Sequence, residues 1–295
     1  MKILLLGCQG QVGQELLTTL SAIGTVTAWG RHELDLAQLD AIGPKILAQP
    51  PDVIVNAAAY TAVDKAEQEP QLAYTINGEA PGKLAQAAAA CGAILIHIST
   101  DYVFDGQQNQ PYQPDSPTNP LGVYGQSKLA GELAVQAACD RHVILRTAWV
   151  YGAKGQGNFV KTMLRLGAER DTLKVVYDQV GCPTWSYDIA AAIAQLIPYL
   201  APGTFGTYHF TNSGAVSWYD FAIAIFEEAA ALGYPLTLKT VLPITTDQYP
   251  LPAKRPAYSV LGSEKLDALL NQTPPHWRVS LRKMLQEFVS SPPQG

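Results

Sequence analysis

Charge is scarce in this sequence: Asp, Glu, Lys and Arg together make up 15% of 295 residues. The 20 Lys and Arg are outnumbered by 25 Asp and Glu, for a net charge of −5, and no basic run occurs. Nucleic-acid phosphates need clustered cations, so nucleic acid is excluded as the main partner. Cysteine is sparse too. Cys8, Cys91, Cys139 and Cys182 lie far apart with no C-x-x-C pair, and read as four small buried hydrophobes in a reducing compartment. His32, His97, His142, His209 and His276 are equally dispersed and suggest no zinc site, so no bound metal is expected. Long apolar runs are also missing. The longest, near Ala87 to Ile96, falls short of the roughly 20 residues that span a bilayer. Met1 to Leu6 is apolar but too short for a signal-peptide core. The expectation is a soluble cytoplasmic protein with no membrane partner. What is plentiful is apolar residues, at 47%. That suffices for a sizeable core, and the length suits one large α/β domain or two smaller ones.

The first 150 residues alternate between two kinds of segment. Short β-branched runs read as buried parallel strands: Ile3–Leu6, Val26–Trp29, Val53–Val55, Ile94–Ile98 and Val143–Leu145. Between them, Gln11–Leu20, Pro81–Ala90 and Ser127–Ala138 have helical composition. Such alternation implies a doubly wound, Rossmann-type parallel sheet. Residues 1–150 are read as a dinucleotide-binding domain. Residues 151–295 are read mainly as a smaller substrate-binding domain, with some segments returning to the first. Helices are expected there over Asn158–Glu169, Asp188–Leu200, Ser217–Ala231 and Ser280–Val289, with Ser217 and Asp220 forming a variant capping box. Prolines 111, 114, 117 and 120 recur at the polyproline-II period and suggest a stiff loop beside the active site.

Gly7-Cys8-Gln9-Gly10-Gln11-Val12-Gly13 follows the first strand and opens the first helix. Glycine permits a tight turn and close backbone approach, while the helix N-terminus offers unpaired N–H groups to a pyrophosphate. Gly7, Gly10 and Gly13 are therefore candidate cofactor-binding residues. NAD-binding folds usually place an acidic residue at the end of the second strand. Here that strand runs into Gly30-Arg31-His32. The guanidinium of Arg31 suits a 2′-phosphate, so NADPH is the expected cofactor, with NADH as the alternate.

Tyr124-Gly125-Gln126-Ser127-Lys128 places a phenol and an ammonium four residues apart, on one helical face. A free tyrosine titrates near 10 and donates poorly at neutral pH. A neighbouring Lys⁺ is expected to lower that value and bring the donor closer to working pH. Such a pair suits protonation of a carbonyl oxygen as hydride reaches its carbon. The strand Ile94–Ile98 runs into Ser99-Thr100-Asp101-Tyr102 at the carboxyl edge of the sheet, where ligands bind. Thr100 is placed to hydrogen-bond the reacting carbonyl. After the preceding strand, the small side chains of Ala57, Ala58 and Ala59 let a cofactor lie against the backbone.

Together these elements resemble the extended short-chain dehydrogenase/reductase superfamily. Asn56–Glu67, Ser99–Phe104, Arg146–Tyr151 and Arg255-Pro256 followed by Ser259 and Leu261 resemble, more narrowly, the dTDP-4-dehydrorhamnose reductase family over essentially the whole chain. The resemblance implies reduction of the C4 ketone of dTDP-4-dehydro-L-rhamnose to dTDP-L-rhamnose, a nucleotide-sugar substrate. It implies Tyr124 as proton donor, Lys128 as its pKa-lowering partner and ribose contact, and Thr100 as the group polarising the ketone. It matches Gly10, Gln11 and Val12 to the dinucleotide turn and Asp35 and Leu36 to the adenine contact. Ala59, Tyr60 and Thr61 match the surroundings of the nicotinamide half. Asp101 and Trp149 match substrate contacts, Trp149 offering a flat apolar surface. Some members hold Mg²⁺ at a dimer interface with two glutamates and a third acidic residue. Glu15 and Glu287 match the two, but the third position is Tyr187, which weighs against a metal-bridged homodimer.

The nearest rival is a nucleotide-sugar 4,6-dehydratase or 4-epimerase. The dehydratase pattern follows the threonine with Asp-Glu, whereas Thr100 is followed by Asp101 and Tyr102. A non-catalytic dinucleotide-binding subunit, such as the regulatory subunit of methionine adenosyltransferase, is a second rival. The intact Thr100, Tyr124 and Lys128 favour activity.

Overall fold

A computed structural model describes residues 1–290; residues 291–295, the end of the expected second region, lie outside it. Five strands arise where the β-branched runs stand: β1 (Lys2–Leu6), β2 (Thr25–Trp29), β3 (Val53–Asn56), β4 (Ile94–Thr100) and β5 (His142–Thr147). Helices α1 (Gln11–Ser21), α2 (Leu39–Leu47), α3 (Ala80–Cys91) and α4 (Val123–Ala138) connect them. The sequence pattern missed α2, because Gly43 and Pro44 interrupt its helical composition. Successive strand residues point to opposite faces. Ile3, Leu5, Val53, Val55, Ile96, Val143 and Leu145 therefore meet Leu16 and Leu20 of α1 on one side. Leu4, Leu6, Ile54, Leu95 and Ile144 meet Ile42, Ile46, Leu84 and Val135 on the other. Both faces being covered explains why the strands read as continuous apolar runs.

In the second half, α5 (Phe159–Glu169) begins at Asn158, whose side chain accepts from Lys161 N–H. Strand β6 (Thr172–Val176) follows, then α6 (Ser186–Leu196), which gives way to a 3₁₀ turn at Pro198. That turn cuts short the helix expected to reach Leu200. Next comes β7 (Gly206–His209), which the sequence pattern also missed. It lies parallel to β5, so the six-stranded sheet runs β7-β5-β4-β3-β1-β2. Helix α6 packs into the same core as α1, so chain from beyond residue 150 completes that face of the sheet.

The remaining elements are α7 (Trp218–Ala231), β8 (Thr240–Ile244), α8 (Glu264–Leu270) and α9 (Trp277–Ser290). Ser217 caps α7: its hydroxyl accepts from Asp220 N–H and donates to the Asp220 carboxylate at 2.6 Å. A second core joins Val160, Leu164, Leu173, Val175, Phe221, Ile225, Trp277 and Leu281. The proline loop is not a continuous polyproline helix; a turn closes from Ser116 N–H to Gln113 O. Tyr112 in that loop pairs with the Val260–Gly262 segment, and Pro114 O accepts from Arg146. Among the described residues no helix is long and apolar enough to cross a membrane.

Candidate active site

The glycine turn is forced by close approach. Gly7 has φ of 76°, and a Cβ there would lie 2.6 Å from Ala58 N. A Cβ on Gly13 would lie 2.0 Å from Gly7 O. Gly10, the N-cap of α1, has room for a Cβ at 3.4 Å, so the protein's own packing does not demand glycine there. The first turn of α1 carries no acidic residue and no side-chain cap, so its N–H groups stay open to an anion. Gln11 is tied down by Asn158 Nδ2 at 2.7 Å, and Val12 packs on the core beneath.

The segment Asn56–Glu67 is the hub of the cleft. Ala57 N–H donates to Leu6 O, which lays the small residues against β1. Tyr60 is held by its backbone: Asn77 accepts from its N–H at 2.8 Å and donates to its carbonyl at 3.0 Å. The Tyr60 hydroxyl turns aside to Glu69, and Thr61 is exposed. Asp64 accepts two bonds from Arg255 at 3.1 and 2.8 Å, joining motifs 191 residues apart in sequence. Glu67 accepts from Val123 N–H at 2.8 Å and so caps α4, whose own N-cap, Gly122, has no side chain to do it. Asn77 also donates to Ser127 Oγ. The helix bearing Tyr124 and Lys128 is thus oriented by residues the sequence reading did not single out for roles: Glu67 and Asn77.

Thr100, Asp101, Tyr124 and Lys128 converge at the carboxyl end of β4. Thr100 Oγ1 accepts from Tyr102 N–H at 3.2 Å and donates to Asp101 Oδ1 at 3.0 Å. Asp101 is buried, and Oδ2 has no hydrogen-bond partner among the described residues. Burial raises its carboxyl to about 6, partly offset by the nearby Ser259 and Thr100 hydroxyls. Tyr102 and Tyr124 meet edge to face at 5.4 Å, and Gly125 lets α4 close against Tyr102 O. Tyr124 keeps some surface exposure, but dense packing around its hydroxyl raises it to about 12. The Thr100 hydroxyl pulls the other way and the Asp101 charge adds to the rise. The phenol thus lies above its free value, not below it as expected, because burial outweighs what a neighbouring ammonium contributes. Lys128 is itself buried and turned to Ile98 O, to which it donates at 2.7 Å. Desolvation brings its ammonium down to about 8.

A cavity of about 690 Å³ opens beside Tyr102. Its wall includes Phe159, Met163 and Trp218, and its rim carries Lys174, Lys254 and Arg255. Trp149 is not the free flat surface expected of it. One face stacks on Trp218 at 3.4 Å and 5°, and a Cβ on Gly181 would fall 2.5 Å from its ring. Trp149, at φ of 47°, is the backing of the wall and Trp218 its face. Sequence alone does not single out Trp218, which opens an apolar helix carrying buried Phe221 and Phe226.

Arg31 is 74% exposed and gives Nε to Asp35 at 3.2 Å. Asp35 also accepts from Ala37 N–H, which with Arg31 holds it below the usual carboxylate range. Leu36 is buried against α2. Among the described residues no three His, Cys, Asp or Glu side chains cluster as a metal group. Glu15 is buried and bonded to Lys154 at 2.8 Å. Burial and the Glu15 charge raise Glu287, so these two carboxylates do share a neighbourhood; Tyr187 is exposed.

The family model described as "RmlD substrate binding domain" matches residues 1–290. The dTDP-4-dehydrorhamnose reductase of Escherichia coli (strain K12) is 43% identical, covering 99% of each chain. The crystal structure of a dTDP-4-dehydrorhamnose reductase from Clostridium acetobutylicum aligns with a TM-score of 0.91 at 40% identity, over 98% of this chain and 100% of that one. That of the Bacillus anthracis enzyme, in complex with NADP, aligns with a TM-score of 0.89 at 36% identity, over 97% and 99%.

Proposed function

The chain belongs to the dTDP-4-dehydrorhamnose reductase family, and from that premise we propose how its cleft works. The protein is an NADP(H)-dependent oxidoreductase. It reduces the C4 ketone of dTDP-4-dehydro-L-rhamnose to dTDP-L-rhamnose, the last step of dTDP-rhamnose synthesis. The observation that carries the site reading is the convergence of Thr100, Tyr124 and Lys128 at the end of β4, beside Tyr102, which lines the cavity. The Gly7–Gly13 turn fits a dinucleotide: its backbone is bared by glycine and its helix end is uncapped. When bound, the reduced nicotinamide supplies a hydride.

The protein's own groups do the rest. Tyr124, at about 12, holds its proton throughout the neutral range. A ketone oxygen taking on negative charge becomes a stronger base than a phenolate and draws that proton off. Lys128, at about 8, is mostly ammonium at pH 7 and favours the phenolate so formed. Thr100 has a single hydroxyl proton, now held by Asp101, and polarises the ketone by turning it there. Trp218 and Phe159 form the apolar wall for the nucleotide, and Lys174, Lys254 and Arg255 bring positive charge for its diphosphate. Arg31 keeps both Nη atoms without a protein partner among the described residues, which favours a 2′-phosphate and hence NADPH.

We read Glu15 as an ion-pair residue. The Lys154 ammonium already balances it, and exposed Tyr187 is a poor third ligand for a hard divalent cation. A dehydratase is disfavoured because the position after Asp101 holds Tyr102, packed edge-on to Tyr124. The test is NADPH oxidation across dTDP-, UDP- and GDP-linked 4-keto sugars. Turnover highest with dTDP-4-dehydro-L-rhamnose supports the reading; no oxidation with that sugar overturns it.

A further inference from the structure

Behind the proton-donating pair runs a buried file of three polar side chains. Asn56 of β3 is 0% exposed, His97 of β4 1% and Lys128 of α4 2%. Asn56 Oδ1 accepts from Ala58 N–H at 3.1 Å, which fixes the orientation of the amide. Its other end, the NH₂ group, therefore faces His97 Nδ1 at 3.0 Å. An amide nitrogen only donates, so Nδ1 must accept. Burial and the Lys128 charge hold His97 well below its ordinary value, and the ring is neutral. A neutral imidazole accepting at Nδ1 carries its proton on Nε2. Nε2 stands 3.4 Å from Lys128 Nζ.

We propose that His97 is a positioning residue of the reduction: its tautomer, locked by Asn56, turns an N–H toward Lys128 Nζ and favours the amine over the ammonium. This rests on the reading of Tyr124 and Lys128 as the proton-donating pair. An ammonium facing an N–H has two donors and no acceptor between them. An amine offers its lone pair instead and still gives one N–H to Ile98 O. The arrangement opposes the usual strong preference of lysine for its charged form and adds to the effect of burial. It leaves Lys128 able to release a proton to the phenolate left on Tyr124 and to regain one from water. The remaining charged groups nearby act differently. Glu132, one turn along α4, favours the ammonium, but it is itself bonded to Arg146 of β5 at 2.7 Å. Asp101 lies beyond the end of β4 and touches Thr100. The file also reaches the dinucleotide side, since Ala58 N is the atom that bars a side chain at Gly7. One stretch of β3 thus shapes the phosphate turn and sets the state of the lysine.

The experiment compares pH profiles of kcat for wild type, Asn56→Asp and His97→Phe at saturating NADPH and sugar. In Asn56→Asp a carboxylate accepts from Nδ1–H, the ring proton leaves Nε2, and its lone pair holds the ammonium. The alkaline limb should move up by about one pH unit with KM for the sugar unchanged. His97→Phe removes the N–H altogether and should move the limb the same way by less, with kcat about tenfold lower. Nitrogen-15 NMR of the wild-type holoenzyme should find His97 protonated at Nε2 and not at Nδ1, whatever the variants' stability. An unmoved limb in both folded variants, or a proton on Nδ1 in wild type, overturns the proposal. Failure of wild type to oxidise NADPH with the sugar would instead sink the reductase reading, while the tautomer measurement still stood.

Discussion

On the proposed dinucleotide side of the cleft, the groups offered to a ligand are backbone: the Gly7–Gly13 turn, the open N-terminus of α1 and the Ala57–Tyr60 stretch. On the sugar side they are side chains drawn from β6, α5, α7 and the loop around Arg255. A pyrophosphate is recognised by N–H groups that any residue possesses, so the first side needs only the right turn. A particular sugar nucleotide must be told from its relatives by shape and a few polar contacts, so the second needs chosen side chains. In the proposed reading Tyr124 and Lys128 serve both.

The sharpest way to separate the sides is Tyr124→Phe. It should lower kcat by about 10²–10⁴-fold while leaving NADPH affinity within about twofold, measured by steady-state kinetics and fluorescence titration. Parallel loss of cofactor binding would show that the sides are not separable there. Asp101→Asn probes the seam next. The Asp101 carboxyl is raised from 3.8 to about 6 in the folded protein, so the folded state binds the proton more tightly. Below pH 3.8 both states are protonated and nothing is lost; between 3.8 and 6 stability falls as pH rises, and above 6 the loss is complete. The neutral variant escapes that loss and should be more stable at pH 7 by roughly 3 kcal/mol, at about 1.4 kcal/mol per pH unit. Denaturation at pH 4 and pH 7 checks it, and equal differences at both would refute it.

Trp218→Ala should act on the sugar side alone, raising KM for the nucleotide sugar about tenfold with kcat and NADPH affinity little changed. If Trp149→Ala had the larger effect on KM without loss of folding, the assignment of wall and backing would be reversed. The smallest effect belongs to Arg31→Ala. An exposed guanidinium contributes about 1 kcal/mol to a phosphate contact, so NADPH affinity should fall about fivefold with NADH unaffected. Equal losses for both cofactors would remove Arg31 from the 2′-phosphate site.

Legibility in the sequence follows the same division. The five strands and the helices α1, α3 and α4 are readable because both faces of a parallel sheet must be apolar, and that leaves unbroken Val, Ile and Leu runs. Strand β7 is not: Gly-Thr-Tyr-His at the sheet's edge carries no such run, and its place depends on β5 being already there. Tyr124, Lys128 and Thr100 are visible by spacing and by position at a strand's end. Trp218 is not, since an aromatic in an apolar helix looks the same whether it faces a core or a cavity. The pairing of Asp64 with Arg255 and the capping of α4 by Glu67 are invisible because neither partner is near the other along the chain. The expectation about the tyrosine's acidity failed for a related reason. An i, i+4 spacing says that two side chains share a face, but not that burial of the phenol outweighs the charge beside it.

The order of residues along the chain was enough, by itself, to determine the parallel sheet, the glycine turn and the placing of Tyr124 and Lys128 on one helix beside the end of β4. Each rests on local rules of backbone geometry, periodicity and spacing. Only the folded chain decided which tryptophan faces the cavity, what holds the helix bearing Tyr124 and Lys128 in place and which way burial and neighbours shift its titratable groups. Those properties depend on desolvation and on partners brought from distant positions, and both come into being only when the chain is packed.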